Sequence, residues 1–408
     1  MFDFTIKRLD NIKFNVNELI QYFNKIESDY QHLCWRAKDS NIDRMTHKIE
    51  GVYSWAIQTN LKDINKPCPP YHIEHSDEIS DNNNFDTPTE LIFGFGQKII
   101  DTFPRVRQTV ISCHPADTFI DTHTDNDEFI KIHIPIKAND NSYFIFGEEK
   151  HNLQVGHAYL VNTTLPHSTN NLGDSDRCHL IFKIHPEDID SIIHDEYILD
   201  DRLFDFDILE LPNFKFDLNE LRDYYSIVTK SNLRFELPAI DKNNDIRNYP
   251  PNYEYSVGIF GYGIQSNLDD VTKPLEPPGN YKQKSKNKKS INRTVLCTGF
   301  AQKILDIFPY CEELGITGHP SKTQLHPHVD KDVHFRIHLP VYTNDSAEFN
   351  YDKTYILEAG KAYLVNTKRT HSTNNKGDSD RIHLMFKVPI GHVNKIIHST
   401  YNLLNISQ

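Results

Sequence analysis

HSTNNLGDSDRCHLIF stands at 167–182 and HSTNNKGDSDRIHLMF at 371–386, with three of the sixteen positions different and 204 residues between the two starts. A chain of 408 residues therefore spells one polar turn and one following apolar run twice, at half its own length. The likeness extends outward. FDFTIKRLDNIKFNVNELIQYF (2–23) matches FDFDILELPNFKFDLNELRDYY (204–225), and GFGQKIIDTFP (94–104) matches GFAQKILDIFP (299–309). KIHIPI (131–136) matches RIHLPV (336–341), and AYLVNT occurs at 158–163 and 362–367. Solenoid repeats recur every ~20–50 residues, so a period this long means two copies of one domain. The expected boundaries are 1–202 and 203–408. No Gly/Ser-rich linker separates them, so they are expected to pack as an intramolecular pseudo-dimer.

Within one copy the pattern changes along the chain. VNELIQYFNKI and LNELRDYYSIV space their apolar residues as helices do, with Asn15 and Asp217 placed to cap them. A second helix is expected over ELIFGFGQKII and its counterpart, and a closing one over IHPEDIDSII and VPIGHVNKII. From about residue 106 the segments are short and rich in branched and aromatic residues: VISCH, FIKIHIPI, SYFIF, HAYLVNT, RCHLIFKI. Turn residues separate them. Each copy reads as mainly β with flanking helices, an antiparallel body that fits a jelly roll.

Composition narrows the class. There are 44 basic and 57 acidic side chains, a formal charge of −13. That balance argues against a general nucleic-acid or lipid binder. No apolar run reaches the ~18–20 residues that span a membrane, and MFDFTIKRLDNIKF has no signal-like apolar region. The six cysteines form no CxxC and none recurs between the copies, so neither a disulfide framework nor a cysteine zinc site is expected. A reducing cytoplasm is the expected location.

Four residues recur in register: His123, Asp125, His167 and Arg177, then His328, Asp330, His371 and Arg381. Their spacings are 2, 42 and 10 in one copy and 2, 41 and 10 in the other. In a strand, residues two apart share a face, which would aim His123 and Asp125 at one point. A histidine from another strand completes two imidazoles and one carboxylate. Such a facial triad leaves positions open and suits non-haem Fe(II) working with O2. Zinc accepts the same ligands. The arginine favours a metal with an anionic co-substrate, because its planar fork grips a carboxylate. Asp127 and Asp332 are rival carboxylates. His114, His319, His179 and His383 also recur and are read as supporting residues.

With these motifs quoted, the segments 106–184 and 311–388 resemble the aspartyl/asparaginyl β-hydroxylase-like family of Fe(II)/2-oxoglutarate dioxygenases, the proline cis-hydroxylases among them. The resemblance rests on HSTNNLGDSDRCHL and HSTNNKGDSDRIHL, a ligand histidine running through a loop to R-x-H-L. It implies a tandem double-stranded β-helix of cupin type. It implies Fe(II) held by His123, Asp125 and His167, and by His328, Asp330 and His371. Arg177 and Arg381 would then bind the 2-oxoglutarate side-chain carboxylate. The family's second basic-x-His pair falls on Arg336 and His338, and on Lys131 and His133, where lysine lacks the fork. Its hydroxyl residue falls on Ser112 and Thr317. Unlike the animal peptidyl enzymes of the family, both copies keep an aspartate ligand.

Two further segments bear on substrate. WAIQTNL and YGIQSNL recur, so Gln58, Asn60, Gln265 and Asn267 are expected to line a polar substrate pocket. The loop at 71–90 is acidic and its counterpart at 281–294 basic, and both are read as lids. The leading expectation is a hydroxylase of an unactivated C–H in an amino acid, free or peptidyl, with Asp, Asn or Pro in view. Succinate and CO2 would be co-products. A metal-binding jelly roll with one or both sites non-catalytic, and a nucleic-acid-oxidising dioxygenase, stay open as alternatives.

Overall fold

The computed structural model describes residues 4–37, 51–69, 85–103, 105–125, 129–236, 259–266, 268, 270–273, 291–330 and 334–404. The chain divides into two units, Met1–Asp201 and Arg202–Gln408. The first runs β1 (Ile6–Leu9), α1 (Val16–Asp29), β2 (Trp35–Arg36), β3 (Tyr53–Ala56), α2 (Gly94–Thr102), β4 (Arg107–His114), β5 (Thr118–His123), β6 (Ile130–Lys137), β7 (Ser142–Phe146), β8 (Glu149–His151), β9 (Ala158–Val161), β10 (His167–Asn171), β11 (Arg177–Ile184) and α3 (Ile189–His194), with shorter pieces between. Its large sheet has the order β1-β9-β6-β11-β4-β3-β2 and its small sheet β8-β7-β10-β5. Every neighbouring pair in both sheets is antiparallel.

The second unit repeats the series as β12 (Ile208–Glu210), α4 (Leu218–Val228), β13 (Arg234–Glu236), β14 (Phe260–Gly263), α5 (Phe300–Ile307), β15 (Glu312–His319), β16 (Thr323–His328), β17 (His334–Tyr342), β18 (Ala347–Asn350), β19 (Thr354–Ile356), β20 (Tyr363–Val365), β21 (His371–Asn375), β22 (Arg381–Pro389) and α6 (Val393–His398). Its sheets are ordered β12-β20-β17-β22-β15-β14-β13 and β19-β18-β21-β16. Each unit is mainly β with flanking helices, a double-stranded β-helix of the jelly-roll kind. Among the described residues no helix is long and apolar enough to cross a membrane.

Alternation explains why the large sheet has two unlike faces. On β6, Ile130, Ile132, Ile134 and Ile136 point one way, and Lys131 and His133 the other. On β11, Cys178, Leu180 and Phe182 oppose Arg177 and His179. The apolar face packs under the helices: Phe182 lies 5.3 Å from Phe103, which follows α2. Leu180, Phe182, Ile132 and Ile134 are fully buried, each worth roughly 1.5–3 kcal/mol. Helix α1 buries Leu19, Tyr22, Phe23 and Ile26 along one stripe, and the Asn15 side chain accepts from the Asn17 N–H to cap it. Asp217 does the same for α4 by accepting from Asn219. The polar face of the large sheet meets the small sheet, and the candidate site lies in that seam.

The stretch that repeats most closely has a local cause. Asn171 is fully buried and donates to the His114 and Ser175 carbonyls at 2.8 and 2.9 Å, while its Oδ1 accepts from Asn139 at 2.9 Å. Asn375 donates to the carbonyls of His319, Pro320 and Ser379 at 2.8, 3.1 and 2.9 Å and accepts from Asn344 at 3.0 Å. The following glycine cannot carry a side chain, because a Cβ on Gly173 or Gly377 would fall 2.1 or 2.2 Å from the Asn139 or Asn344 amide oxygen. The amide knot thus ties the turn before β11 to the end of β4, and it does so twice.

The cysteine expectation is corrected here. Cys113 and Cys178 stand opposite one another on β4 and β11 and form a disulfide on the helix-side face. They are 65 residues apart, and nothing in that spacing announces the register that joins them. In the second unit the same register positions hold Gly318 and Ile382, and the Phe260 ring occupies the space a side chain on Gly318 would need. The loops at 71–84 and 281–290 lie outside the described residues.

Asn375→Ala strips one buried acceptor and one buried donor pair from the second unit. It should destabilise that unit by about 2–3 kcal/mol, seen as a lower urea midpoint for part of the unfolding transition, with Asn171→Ala doing the same to the first unit.

Candidate metal centres

His123, Asp125 and His167 each offer one ligand atom, all lying within 4.8 Å of one another, and His328, Asp330 and His371 do the same. The paired imidazole rings sit 4.4 Å apart in the first unit and 4.3 Å in the second, with the same 48° between planes. His123 faces His167 directly across β5 and β10, as His328 faces His371 across β16 and β21.

The aspartates arrive by a different route from the one the spacing predicts. Strand β5 ends at His123 and β16 at His328, so Asp125 and Asp330 lie beyond the pleat. A backbone bond brings them in: the Asp125 N–H donates to the Thr163 carbonyl at 3.0 Å, and the Asp330 N–H to the Thr367 carbonyl at 3.0 Å. Asp127 and Asp332, the rival carboxylates, fall outside the described residues.

Hydrogen bonds at the back of the rings orient them. Nδ1 of His123, His167, His328 and His371 lies 2.7, 2.9, 2.7 and 3.0 Å from the carbonyl oxygen two residues earlier in the chain. A ring that donates Nδ1–H in this way presents the lone pair on Nε2. Burial pushes the pKa of His167 and His371 down, which favours the neutral imidazole a metal requires.

Lys131 and Arg336 were expected at an anionic co-substrate, but here both serve the ligand carboxylate. Lys131 Nζ lies 2.6 Å from Asp125 Oδ2, and Arg336 Nε lies 2.9 Å from Asp330 Oδ2. Burial by itself would raise the Asp125 pKa; the charge and hydrogen bond of Lys131 outweigh it and hold the carboxyl far below its usual range. Asp330 Oδ1 remains on the histidine side, 3.7 Å from His328 Nε2.

Arg177 and Arg381 are buried in the seam, only 4% exposed. Burial alone pushes their pKa down, to about 10 and about 9. Nε and Nη1 of Arg177 and Nη1 of Arg381 have no hydrogen-bond partner, although neither side chain is exposed. Instead each guanidinium lies over an aromatic face of the small sheet, 5.0 Å from the centre of Phe144 and 4.8 Å from that of Phe349. The sequence reading missed these two phenylalanines. Their signal was an inward position in a strand paired to the one bearing the second histidine.

The remaining expected residues divide. His133 and His338 are buried in the seam, edge-on to Phe144 and Phe349 at 4.9 and 5.4 Å. Ser112 and Thr317 stand opposite His179 and His383, one strand from the arginine, and the Thr317 hydroxyl contacts Met385 Sδ at 3.5 Å. The glutamine side chains turn to the backbone. Gln58 gives its side chain to the Val106 carbonyl and accepts from the Thr109 hydroxyl and N–H, and Gln265 donates to the Cys311 carbonyl and accepts from the Leu314 N–H. A backbone that leaves the sheet needs these partners, so the repeat preserved them for structure. Asn60 is fully buried and accepts from the Cys68 thiol, and Asn267 lies outside the described residues.

Two features test whether these residues fit a metal and a dicarboxylate. Each triad offers two imidazole nitrogens and one carboxylate oxygen, a set for a divalent transition metal with open positions. Each seam also holds a buried guanidinium that meets no carboxylate among the described residues. Both features fit.

The profile of the family described as "Aspartyl/Asparaginyl beta-hydroxylase" matches residues 83–186 and 284–389, half of the chain and once in each unit. The chain belongs to the aspartyl/asparaginyl β-hydroxylase family. Its class is that of the hydroxylases. No curated protein matches it. Among solved structures it is similar to an oxidoreductase of the 2OG-Fe(II) oxygenase family from Burkholderia pseudomallei, at 11% identity over 47% of this chain and 91% of the other, TM-score 0.32. It is similar to a prolyl-4-hydroxylase from Pseudomonas putida, at 7% identity over 45% and 93%, TM-score 0.26. A salicylate 1,2-dioxygenase from Pseudoaminobacter salicylatoxidans aligns at 8% identity over 71% and 70%, TM-score 0.22.

A buried cation without a partner costs folding energy that an apolar residue of like length would not. Arg381→Met should therefore raise the stability of the unliganded second unit by about 1–3 kcal/mol, read as a higher urea midpoint. An unchanged or lower midpoint would mean that the guanidinium is already satisfied.

Proposed function

We propose that both units are Fe(II)- and 2-oxoglutarate-dependent hydroxylase sites acting on an unactivated C–H of an amino acid, free or within a peptide. One observation carries the reading. In each unit a triad with its Nε2 atoms turned to a common point is followed, ten residues after its second histidine, by a buried arginine with no acid partner among the described residues. A metal-binding jelly roll of structural purpose has no use for that arginine.

The chain's residues divide the work. His123, Asp125 and His167 would hold the metal in the first unit, and His328, Asp330 and His371 in the second. Lys131 keeps the Asp125 carboxylate ionised, and Lys131 and Arg336 each hold the outer oxygen of the ligand carboxylate, so that the other oxygen faces the imidazoles. Arg177 and Arg381 offer a fork to the distal carboxylate of 2-oxoglutarate, and the dry seam strengthens that pairing. Ser112 and Thr317 stand within a strand of it. Bound together there, Fe(II) and 2-oxoglutarate supply the O2-driven hydroxylation, with succinate and CO2 as co-products. The acidic net charge of −13 disfavours a nucleic-acid substrate.

The test is anaerobic titration of the full chain with Fe(II) in the presence of 2-oxoglutarate, following the visible charge-transfer band of the chelate. Two equivalents are expected, falling to one in His123→Ala and to one in His328→Ala. One equivalent in the unaltered chain would reduce the reading to a single live site, the one whose histidine variant abolishes the band. No band would reject it. With two live sites, free amino acids and peptides containing Asp, Asn or Pro are then screened for the gain of one oxygen atom.

A further inference from the structure

The two ligand carboxylates are held by different cations, Lys131 and Arg336, and the difference continues one residue further. In the second unit Lys387 on β22 stands opposite Arg336 on β17 and Glu312 on β15. Its Nζ lies 2.7 Å from Glu313 Oε1, and Glu313 Oε2 lies 3.8 Å from Arg336 Nη1. The Arg336 guanidinium is therefore spanned by two acids: Nε faces Asp330 Oδ2 at 2.9 Å, and the Nη1 end faces Glu313.

In the first unit Lys183 on β11 stands opposite Lys131 on β6 and Arg107 on β4. The place of Glu313 falls there to Gln108, a neutral amide. The backbone makes the same turn at both, with φ 50° at Gln108 and 52° at Glu313. Left-handed backbone in a residue other than glycine costs about 1–3 kcal/mol, so its recurrence marks a turn that β4 and β15 require. The turn is common to both units and the charge is not.

The charge goes with the kind of cation. An ammonium is a point charge with three rotatable donors, and it can grip Asp125 from any direction its stem allows. A guanidinium is a plane, and its hold on one carboxylate depends on how that plane is turned. A second acid at the Nη1 end fixes the turn. At 3.8 Å this contact is too long for a hydrogen bond and acts as attraction between charges. Lys387, buried at 8% exposure, anchors the acid from the other side.

We propose that Glu313 is a positioning residue of the second site: through Arg336 it fixes the Asp330 carboxylate for the metal, whereas the first site, with Lys131 and Gln108, is built without this brace. This rests on the reading of the triads as metal centres.

Two measurements on the full chain test it. The first needs no metal. In chain labelled with 15N-arginine, the Nε–H resonance of Arg336, assigned by its loss in Arg336→Lys, should be sharp in the parent and lost to exchange in Glu313→Gln. A resonance equally sharp in both overturns the proposal. The second uses a His123→Ala background, so that only the second site reports, and follows Mn(II) binding by the disappearance of the free ion's paramagnetic resonance signal. Glu313→Gln should weaken Mn(II) binding on the order of 10-fold. With Arg336→Met also present, the same change should cost less than about 2-fold, because the acid acts through the guanidinium. Equal loss with and without Arg336 would make Glu313 a distant charge acting on the metal directly, and loss in neither would give it no role; both overturn the proposal. Glu313→Gln takes an acid from the buried Lys387, so Glu313→Gln with Lys387→Met replaces it if the single variant fails to fold, and the same loss is expected. If the His123→Ala chain binds no Mn(II), the reading of the triad has failed, and the arginine resonance still decides whether Glu313 braces Arg336.

Discussion

A guanidinium buried between two sheets, with no carboxylate to meet it among the described residues, is the constraint on which each unit turns, since burying a cation costs several kcal/mol unless its surroundings repay the lost water. The surroundings of Arg177 and Arg381 repay it only in part. An aromatic face from β7 or β18 lies under the charge. Around it stand buried imidazoles: His114, His133 and His179 in the first unit, His319, His338 and His383 in the second. Burial and the arginine's own field keep all six neutral. A carboxylate placed there would satisfy the cation for good and leave nothing for a ligand. The seam is thus built as half of an ion pair whose other half comes from outside.

The metal triads solve the opposite problem. Their charge is negative, at Asp125 and Asp330, and it is offset from within by Lys131 and Arg336. One oxygen of the carboxylate is engaged and the other kept toward the imidazoles. The histidines are aimed by carbonyls two residues earlier in the chain, so the orientation of each Nε2 follows from local backbone rather than from a distant partner.

Comparison of the two units separates what the arrangement needs from what it tolerates. The asparagine knot at Asn171 and Asn375, the triads, the arginines and the phenylalanines under them recur with nearly the same distances. The helix-side face has drifted instead. Cys113–Cys178 in one unit becomes Gly318 and Ile382 under the Phe260 ring in the other, a different filling of the same space. Within the seam the stacked neighbour of the second ligand histidine is Phe146 in one unit and Tyr351 in the other, whose hydroxyl donates to the Asn366 carbonyl. Packing admits alternatives of similar volume; a ligand constellation does not.

The sequence by itself determined the duplication, the helix caps at Asn15 and Asp217, the two-faced strands of KIHIPI and RIHLPV, and the residue types of the triads and arginines. These are local patterns or fixed spacings, and local backbone geometry suffices to read them. Tertiary structure alone decided the rest. The strand pleat did not carry Asp125 and Asp330 to the histidines; a backbone bond to the β9–β10 or β20–β21 connection did. Lys131 and Arg336 found the ligand carboxylate, Gln58 and Gln265 turned to the backbone, and Cys113 met Cys178. Each of these depends on which residue of one strand stands opposite which residue of another. That register is set by how the whole sheet packs, and no short stretch of sequence contains it.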